Sequence, residues 1–115
     1  VKTAKRREWT IDGHPVGAGA VRLFVFRRDR TCLAFQFDRT HGCTNTWGRV
    51  HTPDDWSLLT LEHVPSVHSP SDVRRDDPEH LVTLCFGANA DRHPSKDLRA
   101  FCRSYLLDRY PTCQG

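Results

Sequence analysis

The chain contains no methionine, position 1 included. That absence reads as a start exposed by processing or trimming, which a removed signal peptide would account for, and Lys5-Arg6-Arg7 reads as part of a flexible basic tail over residues 1–7. Long apolar runs are also missing. None approaches the roughly 20 residues that cross a bilayer, so no membrane span is expected, and VKTAKRREW has no apolar leader core. Neither asparagine opens an Asn-x-Ser/Thr acceptor, because Asn45 is followed by Thr46-Trp47 and Asn89 by Ala90-Asp91. Internal repeats, low-complexity tracts and domain-separating linkers are absent, so one domain over residues 1–115 is expected.

Catalytic and ligand motifs are scarce. Gly17-Ala18-Gly19 is not a phosphate loop: it lacks a third glycine, and it leads into a strand-like run where such a loop would open a helix. No Cys-x-x-Cys or His-x-x-x-His spacing occurs. His41-Gly42-Cys43 could supply two metal ligands, with His51 or Asp55 as others, but the spacing is too weak for a metal or cofactor to be expected. Glu62-His63 is the most tempting acid–base pair among seven histidines, yet neighbours in a strand point to opposite faces unless a bulge intervenes. The balance favours a non-enzymatic protein.

What is present is a folding composition, 37% hydrophobic with three Trp, six Phe and two Tyr, unlike a disordered chain. Five cysteines, Cys32, Cys43, Cys85, Cys102 and Cys113, suit a secreted protein held by disulfides, with a reduced cytoplasmic protein as the alternative. Their odd number leaves connectivity open. The +3 net charge is mild and the arginines are scattered, which argues against a nucleic-acid face.

The expected fold is α+β: an antiparallel sheet or small barrel of about five or six strands packed against one C-terminal amphipathic helix. Val21–Phe26 and Thr31–Phe37, separated by Arg27-Arg28-Asp29-Arg30, read as a hairpin with a charged tip. Glu8–Ile11, Trp47–Val50, Ser57–Glu62 and His80–Phe86 read as further strands, Gly17–Ala20 as a connector and Gly87–His93 as a turn. Thr52–Trp56 has the chemistry of one helical turn, and residues 65–79 form a long loop. Ser95 to Tyr110 carries the strongest helix pattern. Ser95 is the expected N-cap, Asp97 sits in the first turn and Pro111 stops the run; Leu98, Phe101, Cys102, Tyr105 and Leu106 share one face, while Lys96, Arg99 and Arg103 share another.

An Arg-rich hairpin at Val21–Phe37 and a closing helix at Ser95–Leu106 resemble, in outline, the pleckstrin-homology class. That resemblance implies an anionic lipid headgroup gripped by Arg27, Arg28 and Arg30. The preferred expectation is a small secreted, effector-like binding protein that engages another protein; the lipid-headgroup module and a small ribonuclease-like hydrolase are the alternatives.

Overall fold

The computed structural model describes residues 10–11, 14–64, 77–90 and 96–111. The basic tail 1–7, the greater part of loop 65–79, the expected N-cap Ser95, and Cys113 fall outside the described residues.

The mixed α+β class holds, but the sheet is much smaller than expected. Among the described residues, strands form two antiparallel pairs: β1 (Thr10–Ile11) with β2 (His14–Pro15), and β3 (Leu59–His63) with β4 (Leu81–Cys85). The second pair runs in unbroken register from Leu59 opposite Cys85 to His63 opposite Leu81.

The expected Val21–Phe37 hairpin is instead two helices, α1 (Ala18–Asp29) and α2 (Leu33–Phe37). An apolar run such as Val21–Phe26 fits either a covered strand or a buried helix, and periodicity alone does not separate them. Partners decide here. Val21, Val25, Phe26 and Asp29 fall at helical spacing and are buried, whereas Leu23, which a strand would pair with Val21 and Val25, is exposed. The supposed connector Gly17–Ala20 supplies the start of α1, with the Gly17 carbonyl accepting from the amides of Ala20 and Val21.

Asp29 and Arg30 form the corner between the two helices. Arg30 has φ 69° and ψ −43°, and the Thr31 amide donates to the Asp29 carbonyl at 2.8 Å, which makes a γ-turn of the strained hand. The Arg30 carbonyl receives the Trp56 indole N–H at 2.9 Å.

β4 is buried along its whole length because both of its faces are covered. Leu81 packs with Val21 and Val25 of α1. Val82, Leu84 and Cys85 join Phe26, Leu33, Leu59, Leu98, Cys102 and Leu106 in the larger core. Short turns of 3-10 helix introduce the two long strands, Trp56–Leu58 before β3 and Pro78–His80 before β4. The residues expected to turn after β4 continue directly as α3 (Phe86–Ala90).

The closing helix is α4 (Lys96–Arg109). Leu98, Cys102 and Leu106 are buried, Phe101 and Tyr105 are half-buried, and Lys96, Arg99 and Arg103 face water, as the pattern predicts. Its partner differs from expectation. It packs on α2 rather than on a strand there, with Phe37 and Phe101 ring centroids 5.4 Å apart.

A charged network crosses this core. The Asp29 carboxylate, 3% exposed, accepts from Arg28 Nε at 2.6 Å, from the Thr83 amide at 2.9 Å and from the Tyr105 hydroxyl at 2.6 Å. Arg28 also donates to the carbonyls of Pro78 and Leu81, each at 2.6 Å. The network therefore joins α1, β4 and α4. A buried charge is tolerated only when paired and hydrogen-bonded, and each of these partners meets that condition.

Candidate metal centre

Cys32 is the residue from which α2 starts, and its amide is held by the Pro53 carbonyl at 2.9 Å. Cys85 ends β4 at the junction with α3. His41 and Cys43 lie on the loop that returns from α2 and passes over this junction. The Gly87 amide donates to the Thr44 carbonyl at 3.1 Å, and a Cβ at position 87 would fall inside van der Waals contact of Thr44 Oγ1. A larger residue at position 87 would have to displace the Thr44 hydroxyl.

This crossing brings three thiols and one imidazole to a point. The Sγ atoms of Cys32, Cys43 and Cys85 and a ring nitrogen of His41 all lie within 4.8 Å of one another. His41 Nε2 is 3.3 Å from Cys85 Sγ. Around a tetrahedral zinc ion with Zn–S near 2.3 Å, donor atoms stand about 3.6–3.8 Å apart, so the set needs only a small contraction to close on an ion. All three cysteines are buried and His41 is half-buried.

The polar surroundings favour thiolate at Cys85. The Cys85 amide donates to Cys32 Sγ at 3.2 Å, and the Ala88 amide donates to Cys85 Sγ at 3.3 Å. The hydrogen bond from Cys32 holds the Cys85 thiol down to about 4, with further help from His41, while the same bond pushes Cys32 up. Burial pushes Cys43 up to about 11. One thiolate with protonated neighbours is the outcome when thiols crowd without an ion; a divalent cation supplies the charge that lets all of them ionise.

Three buried thiolates and one imidazole are soft-to-borderline donors in a closed set of four. That chemistry selects zinc in a structural role, with no open position for substrate. The sequence points to His41-Gly42-Cys43, but not to its partners. His51 and Asp55 take no part: His51 Nδ1 stands 2.7 Å from the Thr52 carbonyl, and Asp55 accepts from Ser57. Cys32, from the start of α2, and Cys85, from far along the chain, complete the set. Their one sequence signal is that both flank segments rich in buried apolar residues.

The four described cysteines, Cys32, Cys43, Cys85 and Cys102, are all free. Cys102 stands apart on the buried face of α4, its thiol pushed up to about 12 by burial first and then by the charges of Asp29 and Glu62. The arginines singled out from sequence do not converge. Arg28 is committed to Asp29 and two carbonyls, whereas Arg27 and Arg30 are exposed at the end of α1, with no hairpin tip to gather them.

A second constellation sits on the β3–β4–α3 unit that Cys85 anchors. Thr60 and Glu62 share one face of β3 by the two-residue period. The Thr60 hydroxyl donates its proton to the Leu84 carbonyl at 2.8 Å, so towards Asn89 at 2.8 Å it can only accept. That fixes the Asn89 amide, whose NH2 group also reaches the Leu61 carbonyl at 3.4 Å. Glu62 lies further along the same face, its Oε1 accepting from the His63 amide at 2.8 Å, and His63 ends the strand. No protein-family model matches the chain, and neither a curated protein nor a solved structure matches it.

Proposed function

We propose that this chain is a zinc-stabilised hydrolase of phosphodiester bonds, in which Cys32, His41, Cys43 and Cys85 hold a structural zinc ion and Glu62, His63 and Asn89 carry the chemistry. The observation that carries the reading is the Thr60 relay. It holds the Asn89 carboxamide against β3, the strand that carries Glu62 and ends at His63. A carboxylate and a carboxamide oxygen are hard donors that suit Mg²⁺, which takes one or two protein ligands and keeps the rest of its shell for water and substrate phosphate.

Those donors set the chemistry. A cation held by Glu62 and Asn89 would draw charge from a phosphate oxygen. His63 takes a proton from water, the water oxygen forms a bond to phosphorus, and the bond from phosphorus to the leaving sugar oxygen breaks, with solvent supplying that oxygen's proton. Glu62 and His63 diverge by the pleat of the strand. In this reading Glu62 would hold the cation, and His63, at the last position of β3, would act on the water from beyond the strand end. The zinc centre contributes rigidity, since it ties α2 and the returning loop to the β4–α3 junction that positions Asn89.

The test is cleavage of plasmid DNA and of a labelled RNA in Mg²⁺ or Mn²⁺, with the zinc-loaded protein. Activity lost in Glu62→Gln, His63→Ala and Asn89→Ala, at unchanged zinc content and melting temperature, supports the reading. Cleavage that survives all three substitutions, or no cleavage of either substrate by the folded zinc form, overturns it.

A further inference from the structure

The segment between the metal-site cysteine Cys43 and His51 is a small finger. His51 N–H donates to the Cys43 carbonyl at 3.0 Å, Thr44 bridges Val50, and Asn45 N–H donates to the Arg49 carbonyl at 2.9 Å. The Gly48 amide donates back to the Asn45 carbonyl, and Gly48 has φ 74°. This is the three-residue hairpin connection whose last residue must adopt the left-handed conformation, a position that suits glycine. Asn45 Oδ1 braces the tip from inside, accepting from the amides of Trp47 at 2.9 Å and Arg49 at 3.0 Å.

All this order presents apolar surface to water. Trp47 is 83% exposed and Val50 is 78% exposed, the two most exposed large hydrophobic residues described. An indole of that size usually gains by burial, and this one is held out by a braced turn rooted at a metal ligand. The nearest charged residue to it in sequence is Arg49, and from Arg39 to Pro53 the chain contains no aspartate or glutamate, although acids make up 14 residues of the whole chain.

We propose that the Cys43–His51 finger is a binding site for single-stranded or locally unpaired nucleic acid, with Trp47 stacking on a base and Arg49 meeting the phosphate backbone. An exposed aromatic ring two residues from an arginine is a chemistry that accepts a base by its π face and a backbone by its charge. The proposal deepens the hydrolase reading and rests on it for calling the bound strand a substrate. The arginines that look scattered in sequence need not converge for this purpose, because a stacking finger needs only a ring and a local positive field.

The experiment measures binding of a fluorescein-labelled single-stranded DNA of about 20 nucleotides by fluorescence anisotropy, in the zinc-loaded Glu62→Gln protein so that cleavage does not intervene. Trp47→Ala is expected to weaken binding roughly tenfold. Arg49→Ala is expected to lower the slope of log affinity against log salt by about 0.7. Both side chains point to water, so unchanged melting temperatures accompany these losses. Affinity indifferent to both substitutions, or no binding at low salt, overturns the proposal and leaves the finger to a protein partner. If the wild-type protein cleaves nothing while Trp47-dependent binding persists, the hydrolase reading falls and the finger stands as a binding site.

Discussion

Tyr105 on α4 donates a 2.6 Å hydrogen bond to the carboxylate of Asp29, which ends α1 and is buried beside Arg28. Three elements meet at that carboxylate, so its loss should be felt throughout the fold. Asp29→Ala leaves the Arg28 guanidinium half-buried without its counter-charge and the Thr83 amide without its acceptor. A loss of about 3–5 kcal/mol is expected from urea unfolding.

Tyr105→Phe removes one bond to a charged acceptor and should cost about 1.5 kcal/mol at neutral pH. The pH dependence separates it from a packing defect. Burial, together with the bond to the Asp29 carboxylate, raises the Tyr105 phenol above its ordinary value. A raised acid contributes stability that is full below the unfolded-state value near pH 10 and is lost as pH rises through the folded one. Wild-type stability should therefore fall above about pH 10, and the Tyr105→Phe protein should show a shallower fall in denaturation midpoints measured from pH 8 to 11.

Arg30 sits in a backbone conformation that a side chain resists, with φ 69° and ψ −43° in the γ-turn between α1 and α2. Arg30→Gly should stabilise the protein by about 1 kcal/mol, partly offset by the greater freedom of glycine in the unfolded chain. Its backbone carbonyl, the acceptor for Trp56, survives the change. A melting temperature below that of the wild type would contradict the assigned turn.

Thr83 is fully buried in β4, and its hydroxyl finds no partner among the described residues. Valine has nearly the same shape without the stranded oxygen. Thr83→Val should be stabilising by up to about 1 kcal/mol, read from the midpoint of urea unfolding at constant slope.

The metal centre makes a prediction independent of catalysis. Protein purified under reducing conditions should carry one equivalent of zinc by elemental analysis, and chelation should lower its melting temperature. Cys43→Ser should weaken zinc binding by more than the roughly 10–100-fold that altering an outer-sphere partner costs. Cys102→Ser, on the buried face of α4 but outside the donor set, should leave zinc content unchanged. A zinc-free wild type in which two of Cys32, Cys43 and Cys85 resist thiol reagents until reduced would instead mark a disulfide at this point.

Some of this protein is legible from residue order alone. The α4 helix is marked by apolar residues at Leu98, Cys102 and Leu106 and by cations opposite them. β3 and β4 are marked by their branched and apolar runs, because such patterns are local and each element carries its own signal. The Glu62-His63 pair is visible too, as is His41-Gly42-Cys43. Their partners are not. Asn89 lies in a segment that reads as a turn, and its role depends on a hydroxyl from another strand.

What only the tertiary structure decided is the identity of Val21–Phe37 and the meeting of distant ligands. An apolar run such as Val21–Phe26 folds as strand or helix according to what covers it. The covering surfaces, β4 with Leu81 against α1 and α4 with Phe101 against α2, come from far along the chain. The same holds for Cys32, His41, Cys43 and Cys85. Residue order fixes the types of donor, and the long-range packing of α2 and its returning loop on the β4–α3 junction brings them within reach of a single ion.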